Sequence, residues 1–355
     1  MTDSGQQSGP AHIADVARRA GVSTATVSRS LRGLGRVAPG TRERVVQAAE
    51  ELHYVPSPAA AQLASRRTHA IGVVVTTSGR WFWSEVVTGA EQVLRGAGYD
   101  LLLYLVDEPS GRRQFFELMP LRRRVDAVLL LASSVSAREQ RELRDADVPV
   151  LVVGGRVPGG ASVRTDDAAA AGNAARHLLA LGHRDLVMVC GTATDPSSRR
   201  TTRLRRSGFE RALADHGIEG RVMVTHAGID GGAAAAEQLL RNGDLPTALL
   251  AEQDELALGA LRALRRAGVS VPAEVSVVGM DDHELAEAVD LTTVATSPQV
   301  LGHRAAVALL ATLGPTSTRP ADVVLPTRLV LRGTTGPPRA AAELTRPVRL
   351  AAPPG

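Results

Sequence analysis

From residue 70 onward the chain alternates two hydrophobic patterns. Segments built on apolar runs (IGVVVTT from Ile71, YDLLLYLV from Tyr99, VDAVLLLAS from Val125, VPVLVVGG from Val148) are separated by stretches whose apolar residues recur every three or four positions. An unbroken run bounded by turn residues predicts a strand buried on both faces, and the longer recurrence predicts an amphipathic helix. SEVVTGAEQVLRGAG is such a helix, closing at Gly96 and Gly98. The cycle starts again after Asp166. AAAAGNAARHLLALGH, RLRRSGFERALADHG, AAAAEQLLRNG and ELALGALRALRRAG read as helices, and DLVMVCG, VMVTHAG, TALLAEQ and VSVVGMDD as the strands between them. This alternation is the pattern of a parallel, doubly wound sheet. Two successive units of similar build, joined near residue 165, predict a bilobed α/β body with a cleft between its lobes.

The front of the chain follows a helical pattern only. A short apolar helix over Ile13–Ala20 leads into Ala20 to Arg29, AGVSTATVSR. Gly21 supplies the backbone freedom of a tight corner, and Ser23 is a strong helix N-cap. Val27 faces inward with Ala17 and Val22, while Thr24, Ala25, Thr26, Ser28 and Arg29 stay small or polar. A helix that shows small polar groups at its start and an arginine one turn later suits a DNA major groove, which predicts a helix-turn-helix. Pro39 opens a third helix, TRERVVQAAEELH, with Val45, Ala48, Ala49 and Leu52 as its inner stripe. GLGRVA (Gly33 to Ala38) matches a dinucleotide-binding fingerprint only in letters, because a helix precedes it where a strand is required.

Composition sharpens this division. A chain of 355 residues holds two or three folding units. Its formal charge is +4, and the first 70 residues carry nine arginines against five acidic residues, so the positive excess sits with the helix-turn-helix. There is no lysine. The lone Cys190 lies in the apolar run LVMVC and reads as a buried small hydrophobe. The opening MTDSGQQSGP lacks the apolar segment of a secretory signal, and no apolar run reaches membrane-spanning length, so a cytoplasmic location without membrane contact is expected.

With TRERVVQAAEELHYVP downstream, the AGVSTATVSR segment strongly resembles the headpiece of the lactose-repressor (LacI/GalR) family of bacterial transcription regulators, and the likeness runs through nearly the whole chain. The resemblance implies a disordered lead (1–11), an all-α helix-turn-helix headpiece (12–57), a hinge helix or linker (58–67), a bilobed periplasmic-binding-protein-like core (70–335) and a disordered tail (336–355). Within the core it implies a first lobe at about 70–164 and 294–322 and a second at about 165–292 and 323–335. It also implies a homodimer on a palindromic double-stranded operator. Thr24, Ala25 and Arg29 would then read base edges, and Ser23, Thr26, Ser28, Arg36, Arg66 and Arg67 would touch the DNA backbone. Leu63 would be the apolar wedge of the hinge helix in the minor groove. His12 stands where the family usually has Thr, Ala38 where Ser is typical, and Ser57 where many members have Asn.

Ligands of open α/β sheets bind beyond the carboxyl ends of the strands, which in a bilobed pair means the cleft. Asp166, Gln253 and Asp281 end strands there, and Arg205, three residues before Gly-Phe in RLRRSGF, is similar to the family's cleft arginine; together they are a donor and acceptor set that suits sugar hydroxyls. Trp81, Phe82 and Trp83 are placed by the resemblance at the cleft edge, where an aromatic face can stack on a sugar. Gln253 replaces a frequent Asn, so the effector's identity is not inherited; a small polar molecule, a carbohydrate first, is expected. MDDHE (280–284) puts Asp, Asp, His and Glu in a row, but neighbours at a strand end cannot all face one metal, and no metal or cofactor is implied. No G-x-S-x-G elbow is present, and nothing argues for an enzyme. The rival readings are a solute-binding protein or sugar-processing enzyme on the same scaffold, which leaves residues 12–67 without purpose, and a constitutive architectural DNA-binding protein.

Overall fold

A computed structural model describes residues 11–31, 37–54, 67–75, 81–106, 109–132, 135–156, 160–192, 196–314 and 322–339. The chain divides into two compact units, Met1–Thr68 and His69–Gly355.

In the first unit, three helices, α1 (Ile13–Ala20), α2 (Thr24–Leu31) and α3 (Pro39–Glu51), close on a small core. Val16, Ala17, Ala20, Val27, Val45, Ala48 and Ala49 are buried in it, with Val22 and Leu52 at its margin. Gly21 turns the chain at φ 67°, in the left-handed region where a side chain is strained. Ser23 Oγ accepts from the Thr26 amide at 3.2 Å, satisfying a donor that the start of α2 would otherwise leave open. At α1, where His12 stands in place of a threonine cap, Asp15 reaches back and accepts from the His12 amide at 2.9 Å. Ala38 gives α3 no side-chain cap, and Pro39 removes one amide that would have needed it.

The second unit holds two six-stranded sheets. The first is built from β1 (Ala70–Val75), β2 (Asp100–Leu105), β3 (Ala127–Ala132), β4 (Val150–Gly154), β5 (Ala161–Thr165) and β11 (Asp322–Leu325) in the order β11-β5-β4-β3-β1-β2. All its pairs are parallel. The second is built from β6 (Leu186–Gly191), β7 (Arg221–Thr225), β8 (Ala248–Ala251), β9 (Ser276–Asp281), β10 (Thr292–Ala295) and β12 (Arg328–Val330) in the order β12-β10-β9-β8-β6-β7. Only the short β12 runs antiparallel to its neighbour. Helices α4 (Trp81–Gly96), α5 (Pro109–Leu118) and α6 (Ala137–Asp145) link strands of the first sheet. Helices α7 (Asp167–Ala180), α8 (Pro196–Ala214), α9 (Ile229–Arg241), α10 (Asp254–Arg266) and the short α11 (Glu284–Ala288) serve the second. The last helix, α12 (Pro298–Leu313), returns to the first lobe, where Leu301, Ala305, Ala306 and Leu309 join the core of the first sheet.

Three details differ from the sequence-based expectation. The chain crosses between lobes after Ala295 and after Leu325, because β10 pairs with β9 and β11 with β5; the crossings expected near 293 and 322 fall inside these strands. YDLLLYLV is not a buried strand. As β2 it forms an edge, and Leu103 and Leu105 are 48% and 59% exposed. Residues 336–339, expected in the tail, are docked: the Gly336 amide donates to Ser276 Oγ at 3.0 Å and Arg339 pairs with Glu274 at 3.1 Å. The lead, most of the hinge segment and the rest of the tail lie outside the described residues.

Helices α4 and α12 pack closely because each offers a glycine to the other's backbone. A Cβ on Gly89 would lie 2.0 Å from the Gln299 carbonyl oxygen, and one on Gly302 would lie 1.9 Å from that of Val86. Backbone cannot swing aside as a side chain can, so Gly302→Ala must part the two helices. It should lower stability by roughly 1–3 kcal/mol, read as a lower urea midpoint with the slope unchanged.

Candidate functional site

The carboxyl ends of both sheets face a cleft. Its first-lobe wall is the opening turn of α4, with Trp81, Phe82 and Trp83, together with Gly154 and Thr165 at the ends of β4 and β5. The second-lobe wall carries Asp167, Arg205, Glu252, Gln253, Asp254, Asp281 and His283.

Arg205, projecting from α8, organises that second wall. Its Nε donates to Asp167 Oδ1 at 2.9 Å, its Nη2 to Asp281 Oδ1 at 2.9 Å, and its Nη1 to the Glu252 carbonyl. The side chain is 4% exposed, so its charge survives only because two carboxylates face it. Burial opposes that charge, but Asp281 and then Asp167 outweigh burial and hold the guanidinium protonated well above the usual arginine range. Asp281 meets the guanidinium from a strained backbone, φ 111°, a conformation that costs a non-glycine residue on the order of 1–3 kcal/mol.

Beneath this clamp lies Asp254, 1% exposed at the first residue of α10. Thr293 Oγ1 donates to its Oδ1 and the His283 amide to its Oδ2, both at 2.7 Å. Burial pushes its carboxyl up to about 7 against these two hydrogen bonds. Strand β9 can pass this close only through Gly279, where a Cβ would sit 1.9 Å from Asp254 Oδ1. Glu252 turns its own side chain toward β6 and accepts from the Gly191 amide at 2.7 Å. Gln253 lines the cleft with its Oε1 buried and without a hydrogen-bond partner among the described residues, an acceptor that calls for a donor from a ligand.

Of the residues picked out by sequence for the cleft, Trp81, Phe82, Trp83, Arg205, Gln253 and Asp281 line it. Asp166 does not. It is exposed, and its Oδ1 accepts from the Ala169 amide at 3.0 Å as the N-cap of α7; the next residue, Asp167, is the one facing Arg205. Asp254, Glu252 and His283 were missed. Phe82 and Trp83 meet edge-to-face at 5.1 Å and pack on the first-lobe core, whereas Trp81 meets the ring of His283 at 4.5 Å. Cys190 is buried, and burial pushes its thiol well above the usual range, leaving no nucleophile there.

On the headpiece, Thr24, Ala25 and Arg29 are exposed together along α2, and Arg29 Nε donates back to the Ala25 carbonyl at 3.2 Å. Ser23 and Thr26 pair through their hydroxyls at 2.9 Å, Ser28 is half-buried, and Arg67 is exposed. Arg36, Leu63 and Arg66 lie outside the described residues.

Residues 12–57 match the model of "Bacterial regulatory proteins, lacI family", and residues 175–335 match that of a periplasmic binding protein-like domain. Catabolite control protein A of Priestia megaterium is 30% identical over 333 residues, covering 91% of this chain and 98% of its own. This chain belongs to the lacI family. The transcriptional repressor PurR of Vibrio atlanticus (strain LGP32) is 33% identical over 309 residues, 84% of this chain and 91% of its own. Among solved structures, a Lac repressor dimer bound to operator and the anti-inducer ONPF superposes with a TM-score of 0.82 at 28% identity, over 92% of this chain and all of that one. The regulator CelR in complex with cellobiose gives 0.67 at 29% identity over 91% and 99%. As a lacI-family member the protein is a DNA-binding transcriptional regulator and not an enzyme. No helix among its described residues is long and apolar enough to cross a membrane, and none of their acidic, His or Cys side chains group to hold a metal.

The raised Asp254 carboxyl gives this lacI-family cleft a pH signature. A carboxyl whose folded pKa lies above its unfolded value binds more protons folded than unfolded, so its contribution to stability falls as pH rises between the two. From about pH 4 to about pH 7, Asp254 should therefore subtract stability at up to about 1.4 kcal/mol per pH unit. Asp254→Asn should flatten that segment of the stability curve, measured by urea unfolding at pH 4.5, 6 and 7.5; an unaltered slope rules the carboxyl out.

Proposed function

We propose that this regulator is a repressor that binds a palindromic operator as a homodimer in the cytoplasm, and that a carbohydrate effector held in the cleft controls it. The observation that carries the effector reading is the cleft's second-lobe wall. There a clamped Arg205 fixes the geometry and the buried Gln253 Oε1 awaits a donor, with the Trp81 ring opposite. Hydroxyl-rich rings supply donors at several bearings and an apolar face for the indole. The solved CelR–cellobiose complex supports the same class of ligand.

On DNA, Thr24, Ala25 and Arg29 read base edges through a hydroxyl, a methyl group and a guanidinium; their shared exposure along α2 supports this reading. Thymine methyl suits Ala25, and guanine suits Arg29. Ser23, Thr26, Ser28, Arg36, Arg66 and Arg67 contact phosphates, and Leu63 wedges the minor groove. Cleft closure shifts the two first lobes of the dimer, and with them the order of residues 58–67 and so the affinity for operator. The dimer reading draws on the Lac repressor dimer and on apolar edges left open here. Leu103 and Leu105 project from β2, and Val224, 62% exposed, from β7.

Three experiments test this. Arg29→Ala should weaken binding to an operator selected from random duplexes by roughly 1–3 kcal/mol while leaving binding to unrelated duplex nearly as it was. Equal loss on all sequences removes Arg29 from base reading. Fluorescence anisotropy of that complex, titrated with mono- and disaccharides and in parallel with nucleobases, should change with a sugar; a response to nucleobases alone replaces the carbohydrate assignment. Leu105→Glu should convert the dimer to monomer in sedimentation velocity.

A further inference from the structure

Among the described residues, one ring pair bridges the lobes of the cleft. Trp81 is the first residue of α4 in the first lobe, and His283 sits between β9 and α11 in the second. Their ring centroids are 4.5 Å apart with planes tilted by 35°. The other ring contacts among the described residues all stay within the first lobe. Both members line the cleft and both are partly exposed.

His283 is held from two sides on its own lobe. Its amide donates to Asp254 Oδ2 at 2.7 Å, and its Nδ1 accepts from the Leu285 amide at 3.0 Å, which caps α11 and fixes the ring plane. Among the described residues Trp81 has no ring partner in its own lobe, where Phe82 and Trp83 pair with each other. The imidazole is thus the fixed half of the contact, and the indole is the half being positioned.

We propose that His283 is a positioning residue of the effector cleft, whose imidazole latches the second lobe to the Trp81 indole of the first and sets how that indole faces the cleft. The proposal rests on the effector reading of the cleft. An aromatic pair that spans two bodies is made only when they come together, so it favours the closed arrangement by roughly 3- to 10-fold. It also ties effector preference to His283, because any ligand ring that uses Trp81 meets an indole whose orientation His283 sets.

The test separates the ring from the cap. The chain has two tryptophans, so a Trp83→Phe background leaves Trp81 as its sole tryptophan, excited selectively above the tyrosine band. In that full-length background, His283→Asn keeps an acceptor for the Leu285 amide and removes the ring, whereas His283→Phe keeps a ring and removes the acceptor. Acrylamide quenching of Trp81 should rise about threefold in the Asn chain and stay near the parent value in the Phe chain, with melting temperatures tracking the fold of each. Equal quenching in both variants, a larger rise with Phe, or no rise in either overturns the latch and leaves His283 as a cap only. Should the Asn chain unfold, His283→Ser, a second cap without a ring, gives the same reading. Quenching is measured without DNA or sugar, so a failed latch is told apart from a failed effector assignment, which only the operator titration reads.

Discussion

One buried guanidinium holds the second-lobe wall of the cleft together. Arg205 gathers the start of α7, the end of β8 and the end of β9 onto a single planar group through Asp167, the Glu252 carbonyl and Asp281. None of these elements is adjacent to α8 in sequence. Removing either carboxylate would leave charge without its partner in a dry site, which is far more damaging than exchanging the whole set for apolar residues. The set must therefore persist or fail as a unit, and that makes it a rigid floor rather than an adaptable one. An arginine suits this task better than a lysine, because its fixed fork reaches three acceptors at set angles.

The end of β9 then carries two duties within three residues. Asp281 turns to Arg205 from a left-handed backbone, and His283 turns to Trp81 across the cleft. Both depend on Asp254, which accepts the His283 amide and the Thr293 hydroxyl from below, and on Gly279, which lets β9 pass over that carboxyl. Floor and latch are consequently coupled through backbone, not through a chain of loosely packed side chains. A ligand that alters the pose of one is felt at the other over a short path.

Much of this was legible in the sequence, and the failures have physical causes. Strand and helix alternation gave both sheets, because continuous burial leaves an unmistakable apolar run. The same signal misplaced β2. YDLLLYLV is apolar apart from Asp100 at its start, and only the sheet order makes it an edge that exposes Leu103 and Leu105. The Asp166–Asp167 doublet marked a site correctly but not which member serves it. At a helix start one carboxylate turns back to cap and the next points inward, a rotation that composition does not encode. His283 was weighed only as one of four adjacent polar residues unfit for a metal, and its partner 202 positions away could not be read from that row. Asp254 is similar: its role depends on Thr293 and Gly279 from other strands.

The distribution of charge explains why such a body can be joined to a DNA reader. Beyond residue 70 positive and negative side chains balance, so the excess of four positive charges belongs to the front of the chain. Four acids of the cleft, Asp167, Glu252, Asp254 and Asp281, are buried and are held by a guanidinium, by a hydroxyl or by backbone amides. They cast little field at distances beyond a Debye length, and the body neither attracts nor repels a duplex strongly. Nonspecific attraction by one headpiece is correspondingly modest, since each neutralised phosphate contributes only a limited, salt-dependent share. On the proposed reading, tight binding comes from base contacts along α2, repeated on a second copy at a fixed spacing. A neutral, ligand-gated body that sets that spacing can control affinity without competing for the phosphates itself.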